Sequence, residues 1–294
     1  MAEESAAPAF PAADAMVEHL KTTYGTSVRA VVFYGSCLRL GTDQNLMLDF
    51  YVLVDDLVAA LNSPISAVFG ALLPPNVYYH ECGFEGRTVR AKVAVMTLAA
   101  FTRGTAETTF ASALWARFAQ PAAIVYAKDE LARTSVTRAR TRAVETLLMK
   151  TKPLVMGPCT IRELWVHAFQ ATYRAELRPE KDSKAEELVA MQEERFTNVG
   201  NAAIEALRID LDSERTVATR AIWTWRFRRW WGRLLNLLRL VKAAFTFSGG
   251  LDYAVWKIER HSGVRIELTE RDRAHPILTG IRLLFRVKRE GGLN

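Results

Sequence analysis

Short apolar runs bounded by turn residues recur through the first 130 residues, and this pattern predicts β-strands. The runs cover residues 31–33, 46–54, 76–80, 88–98 and 122–126, and a Gly-Phe-Glu-Gly turn at 83–86 joins two of them. Apolar positions at helical spacing occupy the intervals 16–24, 57–61 and 110–119. Such a mixture of strands and helices predicts an α+β domain over residues 16–150.

From Asp129 onward the hydrophobic spacing is mostly helical. Pro153 and Pro158 interrupt it, and Thr160 followed three residues later by Glu163 predicts a capped helix start. We therefore predict a disordered tail at 1–15, the mixed domain at 16–150, a helical domain at 151–215 and a basic, aromatic region at 216–294.

Residues 221–247 predict a helix with one continuous apolar face. The face consists of Trp223, Phe227, Trp230, Trp231, Leu234, Leu237, Leu238 and Val241. Arg226, Arg229 and Arg233 follow one flank, and Arg228, Arg239 and Lys242 follow the other. Tryptophan favours the membrane–water boundary, and basic residues are attracted to acidic lipid. The pattern favours a helix lying flat on a membrane; the alternatives are a core helix with a solvated basic back, or a surface that stacks on nucleic-acid bases.

The composition of the chain limits the partners and the targeting signals that we expect. The net charge is +7, and the basic residues crowd the segment 215–289, which indicates an anionic partner: nucleic acid or acidic lipid. No apolar run reaches the roughly 20 residues that span a bilayer. Residues 1–14 contain acids but no Lys or Arg, so we expect neither a secretory nor a mitochondrial signal. The cysteines and histidines show no metal-ligand spacing.

Candidate chemistry lies in Tyr34-Gly35-Ser36 and Asp49. A Gly-Ser turn between a strand and a helix offers backbone N–H groups and a hydroxyl to phosphates, and a nearby strand carboxylate holds Mg²⁺. This arrangement is typical of nucleotidyltransferases. The same residues would also fit a hairpin that carries an exposed Asp. Many nucleotidyltransferases carry Asp-x-Asp on one strand, but Tyr51 stands at the second position here. Asp55 has the same strand parity as Asp49, yet it lies roughly 20 Å away along a straight strand.

Taken together, the sequence resembles the phosphatidate cytidylyltransferases of the mitochondrial translocator-assembly-and-maintenance type, as a bacterial relative. The matching segments are Tyr34-Gly35-Ser36, 47–56 with its acidic strand, the basic strand 89–95, 114–125 with Arg117, Gln120 and Pro121, and 173–178 followed by Lys184. Cys37 is a departure, since the family usually has a second glycine there.

The resemblance implies that Mg²⁺-dependent transfer of CMP from CTP to phosphatidic acid gives CDP-diacylglycerol and pyrophosphate. It also implies a nucleotidyltransferase domain, a winged-helix-like domain and a C-terminal amphipathic element that meets the membrane. The protein would then be peripheral, on the cytoplasmic side of the inner membrane. Nucleic acid is not expected as a partner, and the oligomeric state stays open.

The site residues follow from the same resemblance. Asp49 and Lys92 are the catalytic candidates; Tyr34, Gly35 and Ser36 bind nucleotide; Glu176 and Arg178 orient a substrate phosphate; and Asp49 and Asp55 hold the metal. The expected membrane contacts are Trp223, Arg226, Phe227, Arg229, Trp230, Trp231 and Arg233. Two other functions remain open: a nucleotidyltransferase acting on RNA or a small molecule, and a catalytically silent membrane-binding protein that retains the fold.

Overall fold

The structure, a computed structural model, describes residues 10–42, 47–175, 183–213 and 218–246. The strands are β1 (Val28–Tyr34), β2 (Leu48–Val54), β3 (Asn76–Phe84), β4 (Arg87–Thr97) and β5 (Ala122–Ala127). The helices are α1 (Pro11–Tyr24), α2 (Ser36–Leu40), α3 (Leu57–Leu61), α4 (Pro64–Leu72), α5 (Leu98–Gly104), α6 (Ala113–Phe118), α7 (Glu130–Thr151), α8 (Ile161–Ala175), α9 (Ser183–Met191), α10 (Glu193–Leu207) and α11 (Thr219–Thr246).

A mixed five-stranded sheet in the order β3-β4-β2-β1-β5 forms the centre of the fold. β2 pairs parallel with β4, and the other neighbours are antiparallel. The predicted α+β class is therefore confirmed. β2 lies in the middle of the sheet and is apolar at every position except Asp49, because helices cover both of its faces.

Two hydrophobic clusters cover the two faces of the sheet. Side chains alternate across a strand, so Phe50 and Val52 of β2 enter one cluster while Tyr51 and Leu53 enter the other. The first cluster packs against α1, α3 and α4, and the second packs against α5 to α11. The result is a sheet held between a small helical layer and a large one.

Three of the predicted strands match β2, β4 and β5 closely, β3 continues past the predicted 76–80 run to Phe84, and β1 extends the predicted 31–33 run at both ends. The turn between β3 and β4 is shorter than predicted: only Glu85 and Gly86 lie outside the strands, with φ of 48° and 74°. Positive φ at both central residues characterises the type I′ turn, whose twist matches that of the flanking strands. The chain therefore reverses in two residues at this edge of the sheet.

Two helix boundaries differ from the prediction. α1 begins at Pro11 rather than at Met16, so it includes residues 11–15 of the predicted tail. Proline is favoured in a first helical turn, Ala12 and Ala13 are buried, and the Phe10 ring packs edge-on against Phe33 at 5.5 Å. The predicted helix at 110–119 is shorter, since α6 covers only Ala113–Phe118.

The described residues after β5 form helices, as predicted. The Thr160–Glu163 capping box is confirmed: the Thr160 N–H donates to the Glu163 carboxylate at 2.7 Å, and the Glu163 N–H donates to Thr160 Oγ1 at 3.2 Å. α7 crosses the predicted boundary at residue 150. The second cluster includes buried residues of the sheet, α7, α8 and α11, so that boundary does not separate two cores within the described residues.

A polar cluster joins α1 to the edge strand β3. The His80 ring hydrogen-bonds the Tyr24 hydroxyl through Nε2 at 2.9 Å and meets His19 Nε2 through Nδ1 at 3.3 Å. Burial, with a smaller contribution from His19, lowers the pKa of His80 from 6.5 to about 4. The folded protein therefore keeps the His80 imidazole neutral at pH values where an unfolded chain would protonate it.

This shift predicts a loss of stability in mild acid. Between pH 6.5 and about 4 the unfolded chain takes up a proton at His80 that the folded chain does not, so the free energy of unfolding falls as the pH falls through that window. We expect His80→Gln to reduce the difference between urea unfolding free energies measured at about pH 7 and about pH 5. His167→Gln, at an exposed histidine of α8, is the control and should behave like wild type. Equal pH dependence in wild type and His80→Gln would contradict the assignment.

Candidate functional site

Three polar side chains lie in one row across the middle of the sheet. Asp49 is the register partner of Tyr34 on β1 and of Lys92 on β4. Register partners on neighbouring strands point to the same face, so the phenol, the carboxylate and the ammonium group stand side by side. This face is the one covered by α5 to α11, and the row lies where β1 ends and β2 begins.

Gly35 brings the backbone against this carboxylate. Its φ is 92°, and a Cβ added there would lie 2.5 Å from Asp49 Oδ2. Only glycine combines that backbone conformation with that approach. Cys37, the departure from the family pattern, has no such requirement: it is buried in α2, and its thiol donates to the Met47 carbonyl at 3.1 Å. The turn after β1 therefore needs one glycine and not two.

Arg117 of α6 reaches the row from the helical layer. Its guanidinium donates to the Tyr34 hydroxyl at 3.2 Å and lies 5.4 Å from the centre of the Tyr34 ring. The ring in turn packs against Tyr51 and Phe118. Burial raises the pKa of Tyr34 far above its ordinary value, so this hydroxyl stays protonated at neutral pH. A positive charge is thus held at one wall beside Asp49.

A cleft of about 340 Å³ opens over the row. Its lining residues are Tyr34, Gly35, Ser36, Arg39, Asp49, Lys92, Arg117, Gln120, Tyr173, Lys184, Glu187, Leu188 and Met191. Sheet residues and the start of α2 form one side, and α8 and α9 form the other. Its charged groups are four cations (Arg39, Lys92, Arg117 and Lys184) and two carboxylates (Asp49 and Glu187). The cleft is therefore suited to an anion that also brings a divalent cation.

Five of the eight residues predicted to bind nucleotide, phosphate or metal or to act in catalysis meet in this cleft. Tyr34, Gly35, Ser36, Asp49 and Lys92 all line it. Glu176 and Arg178 lie outside the described residues.

Asp55 requires a correction as a metal ligand. It follows the opposite end of β2 from Asp49 and forms an ion pair with Arg29 at 3.4 Å. Its neighbour Asp56 caps α3 by accepting the Val58 N–H at 2.7 Å. The extended strand between them keeps Asp49 and Asp55 too far apart to hold one ion.

Several lining residues were not predicted as site residues. Arg117, Gln120, Tyr173 and Lys184 belong to the segments that carry the family resemblance, so the sequence did contain a signal for them. Arg39 follows the Gly-Ser turn by one helical turn. Glu187, Leu188 and Met191 carry no local signal, because only the packing of α9 over the sheet brings them to the cleft.

The donor set of the cleft fits Mg²⁺ only in part. Mg²⁺ prefers oxygen ligands and commonly takes one or two carboxylates together with waters and substrate phosphates. Asp49 and Glu187 supply such oxygens. Within the described ranges, however, no group of three or more ligating His, Cys, Asp or Glu side chains occurs. An ion here would thus depend on phosphate oxygens of a bound ligand to complete its shell.

α11 is, besides the cleft, the second feature with a candidate function. It packs against the rest of the described protein through one of its basic flanks. Lys242 Nζ donates to the carbonyl oxygens of Leu73 and Pro75 and to Asn76 Oδ1, at 2.5, 2.7 and 3.0 Å. Arg228, only 3% exposed, donates to the Phe110 carbonyl at 2.9 Å. Its guanidinium also lies over the rings of Phe110, Trp115 and Trp225. Of the two predicted basic flanks, the one containing Arg228 and Lys242 is therefore turned toward the protein interior. The expectation that these two cations face a membrane is wrong.

The aromatic side of α11 faces outward. Trp223, Phe227, Trp230 and Leu237 are 55 to 63% exposed, whereas Trp225 is buried and donates from its indole to the Lys150 carbonyl at 2.9 Å. The Phe227 and Trp230 rings stack at 5.6 Å. Arg226 and Arg233 are exposed beside this face, whereas Arg229 and Trp231 are half-buried. Large apolar side chains are thus exposed along one side of α11 within the described residues.

Comparison of the sequence with protein-family models and with curated proteins finds no match. In the described part of the chain, no helix combines the length and the apolar character that crossing a bilayer requires.

The charges of the cleft predict that it binds polyanions. We expect Arg39→Gln to weaken the binding of inorganic triphosphate about tenfold at low salt, since one charge-assisted hydrogen bond contributes about 1.5–3 kcal/mol. Isothermal titration calorimetry measures the dissociation constant. Arg133→Gln, which removes the same charge from α7 outside the cleft, where the side chain is 42% exposed, should leave the dissociation constant nearly unchanged. Equal weakening in both variants would mean that triphosphate responds to net charge and not to this cleft.

Proposed function

We propose that the protein is a CTP:phosphatidate cytidylyltransferase that works at a membrane surface. The observation that carries the proposal is the cleft in which Gly35, Asp49 and Lys92 meet beside Arg39, Arg117 and Lys184. A nucleoside triphosphate needs such a combination of close backbone approach, cations and a carboxylate. The choice of CTP and phosphatidic acid rests on the resemblance of the sequence to the translocator-assembly-and-maintenance enzymes, including the nucleotidyltransferase fold that the resemblance implies.

The proposed reaction is an in-line displacement at the α-phosphorus of CTP. A phosphate oxygen of phosphatidic acid forms the new P–O bond, the bond from the α-phosphorus to the bridging oxygen breaks, and pyrophosphate leaves. The attacking oxygen is already anionic, so no strong general base is needed, and positioning and charge neutralisation supply most of the rate enhancement. Asp49 is the residue that would hold Mg²⁺, which when bound would supply further neutralisation of the developing charge.

The side chains of the cleft take separate roles in this proposal. Gly35 and Ser36 lie where the triphosphate would pass closest to the backbone, and Lys92 lies beside Asp49 on the neighbouring strand. Arg39 and Lys184 stand on helices at opposite sides of the cleft and would hold the leaving pyrophosphate or the incoming lipid phosphate. Arg117 is oriented by the Tyr34 hydroxyl, which keeps its charge at the wall.

The outward face of α11 supports the membrane part of the proposal. Burying exposed tryptophan, phenylalanine and leucine side chains at a lipid interface removes apolar surface from water, at about 25 cal/mol per Å². Arg226, Arg229 and Arg233 would add roughly 1 kcal/mol each at an anionic surface. Because Arg228 and Lys242 are bound to carbonyl oxygens of the protein, they are not part of this attraction.

A catalytically silent membrane-binding protein is the second candidate. The observation that favours it is the absence, within the described residues, of a second carboxylate on the strand of Asp49 near the cleft, together with the lack of a three-ligand metal cluster there. The two candidates differ in one measurable property, which is turnover by folded, vesicle-bound protein.

The first test is an assay with radiolabelled CTP, phosphatidic acid in vesicles and Mg²⁺. We expect wild type to form CDP-diacylglycerol and Asp49→Asn to lose at least about 10²-fold in turnover, because a group acting on charge in the transition state is removed. Asp55→Asn is the matched control: it makes the same change at the other end of β2 and should retain activity.

Two results would oppose the proposal in different ways. No product from wild type that is folded and vesicle-bound would favour the silent protein. Equal losses in Asp49→Asn and Asp55→Asn would mean that the cleft around Asp49 is not the reaction centre.

The second test addresses membrane binding by α11. We expect Leu237→Ala to weaken sedimentation with anionic phospholipid vesicles several-fold, since about 1.5–3 kcal/mol accompanies full burial of such a side chain. Leu131→Ala is the control, because Leu131 is even more exposed, at 70% against 56%, but lies on α7. If both variants bind vesicles as tightly as wild type, α11 does not insert. If the protein binds RNA tightly and vesicles not at all, the nucleotidyltransferase acting on RNA is favoured instead.

A further inference from the structure

The cleft over the sheet has two sides of different chemistry. The sheet, α2 and the segment 117–120 line it with Gly35 and with side chains that carry polar or charged groups. Within the described residues, the aliphatic side chains that line the cleft are Leu188 and Met191, and both belong to α9. A triphosphate draws on the polar side, because its oxygens bind cations and N–H groups. The apolar side is therefore available to another part of a substrate.

One face of α9 supplies all of the residues that this helix contributes to the cleft. They are Lys184, Glu187, Leu188 and Met191, which follow one another at the spacing i, i+3, i+4 and i+7. This spacing places four side chains on a single face of a helix. The two charged residues come first and the two apolar residues come last. The face that α9 turns to the cleft therefore changes from charged to apolar along the helix.

The apolar end of this face is open to solvent. Leu188 is only 6% exposed and packs into the second hydrophobic cluster, whereas Met191, one turn further along α9, is 52% exposed. Met191 thus lies at the rim of the cleft, with a buried apolar neighbour beneath it. The flexible thioether side chain of methionine adapts to apolar ligands of irregular shape. The rim is therefore suited to a ligand that continues out of the cleft.

The chemistry of this end favours a lipid over a nucleotide base. Proteins commonly hold a base by stacking it on an aromatic ring and by hydrogen bonds to its polar edge. Leu188 and Met191 offer neither a ring nor a strong hydrogen-bonding group. The glycerol and first acyl carbons of a phosphatidate carry much apolar surface to bury, and its acyl chains have to leave the cleft toward the membrane. An aliphatic and exposed rim meets both of these requirements.

The apolar side of the cleft is also the side that is connected to α11. α8 and α9 form this side, and α8 lines the cleft through Tyr173. Two residues further along α8, the Ala175 carbonyl lies so close to Gly232 of α11 that a Cβ at position 232 would stand 2.3 Å from its oxygen. The helix with the exposed aromatic face is thus packed directly against the side of the cleft that carries Leu188 and Met191.

We propose that Leu188 and Met191 form the acceptor subsite of the cleft, which takes the glycerol and first acyl carbons of a phosphatidate while its phosphate enters the polar part. Met191 is then a specificity residue, because it favours an acylated phosphate over a bare one. This inference rests on the proposed cytidylyltransferase function, which makes phosphatidate the acceptor. Its test measures binding and does not need turnover.

The test is isothermal titration calorimetry of the full chain with dihexanoyl phosphatidic acid, kept below the concentration at which it forms micelles, without CTP. We expect Met191→Gln to weaken binding about fivefold, since a polar side chain of similar size replaces the contact with acyl carbons. Met191→Leu keeps an apolar side chain and should bind like wild type. Met156→Gln is the matched control: it makes the same change at a methionine that is 75% exposed and lies outside the cleft.

Two further probes locate the contact that Met191 makes. Glycerol phosphate has the phosphate but no acyl chains, and CTP has the triphosphate and the base, so we expect Met191→Gln to bind both like wild type. If Met191→Gln weakens the binding of CTP as much as that of the lipid, the apolar end holds the base and the proposal is overturned. Equal weakening for glycerol phosphate would mean that the variant disturbs the phosphate site, which would overturn the proposal as well.

The remaining outcomes separate this inference from the broader function. Folded wild type that binds the short-chain lipid through Met191 but forms no CDP-diacylglycerol would keep the subsite and refute only the enzyme. Wild type that forms CDP-diacylglycerol, with a lipid affinity and a KM for phosphatidic acid that Met191→Gln leaves unchanged, would keep the enzyme and refute the subsite. Because Met191 is half exposed, we expect thermal unfolding of Met191→Gln to match that of wild type.

Discussion

The close approach of Gly35 to the carboxylate of Asp49 is the constraint on which the cleft depends. β1 and β2 pair antiparallel with Tyr34 opposite Asp49, so the chain leaving β1 must pass directly over the start of β2. A side chain at position 35 would occupy the place of the Asp49 oxygen, and the positive φ there would be strained in addition. Because the parallel neighbour β4 sets Lys92 beside Asp49, the whole polar row follows from strand register.

An amphipathic helix usually turns its apolar face toward the core and its charged face toward solvent. In α11 two cations, Arg228 and Lys242, are turned toward the core instead. Burying a charge is costly unless hydrogen-bonding groups replace its water. Arg228 and Lys242 have such groups in backbone carbonyls, and burial still lowers the pKa of Arg228 to about 10 and that of Lys242 to about 8. Trp225 is buried on the same side as these cations, whereas Trp223, Phe227 and Trp230 remain exposed. An exposed aromatic face is therefore a consequence of how the helix is attached.

α8 connects the cleft to α11. Tyr173 lines the cleft, and the Ala175 carbonyl lies against Gly232 of α11. A Cβ at position 232 would overlap that carbonyl oxygen, so the two helices meet at closer range than any other residue permits. The last turn of α8 thus contacts both the cleft and the helix whose aromatic face is exposed to solvent.

Much of the fold and part of the site were determined by local sequence. Alternation and apolar runs located the strands, because the side chains of a central strand must be apolar on both faces, and β2 is interrupted only by Asp49. Proline, glycine and the Thr160–Glu163 box marked turns and helix starts, since these residues act through their own backbone. Tyr34, Gly35, Ser36, Asp49 and Lys92 were predicted together and do line one cleft.

The tertiary structure alone decided which residues far apart in sequence meet. Asp55 shares strand parity with Asp49, but the length of an extended strand separates them, and Glu187 supplies the other carboxylate of the cleft from α9. Periodicity gave the faces of α11 but not which of them turns inward, because that depends on carbonyl oxygens supplied by residues 73, 75 and 110. Local patterns specify how a segment folds, whereas a site between segments is specified by packing over distances that no local pattern encodes.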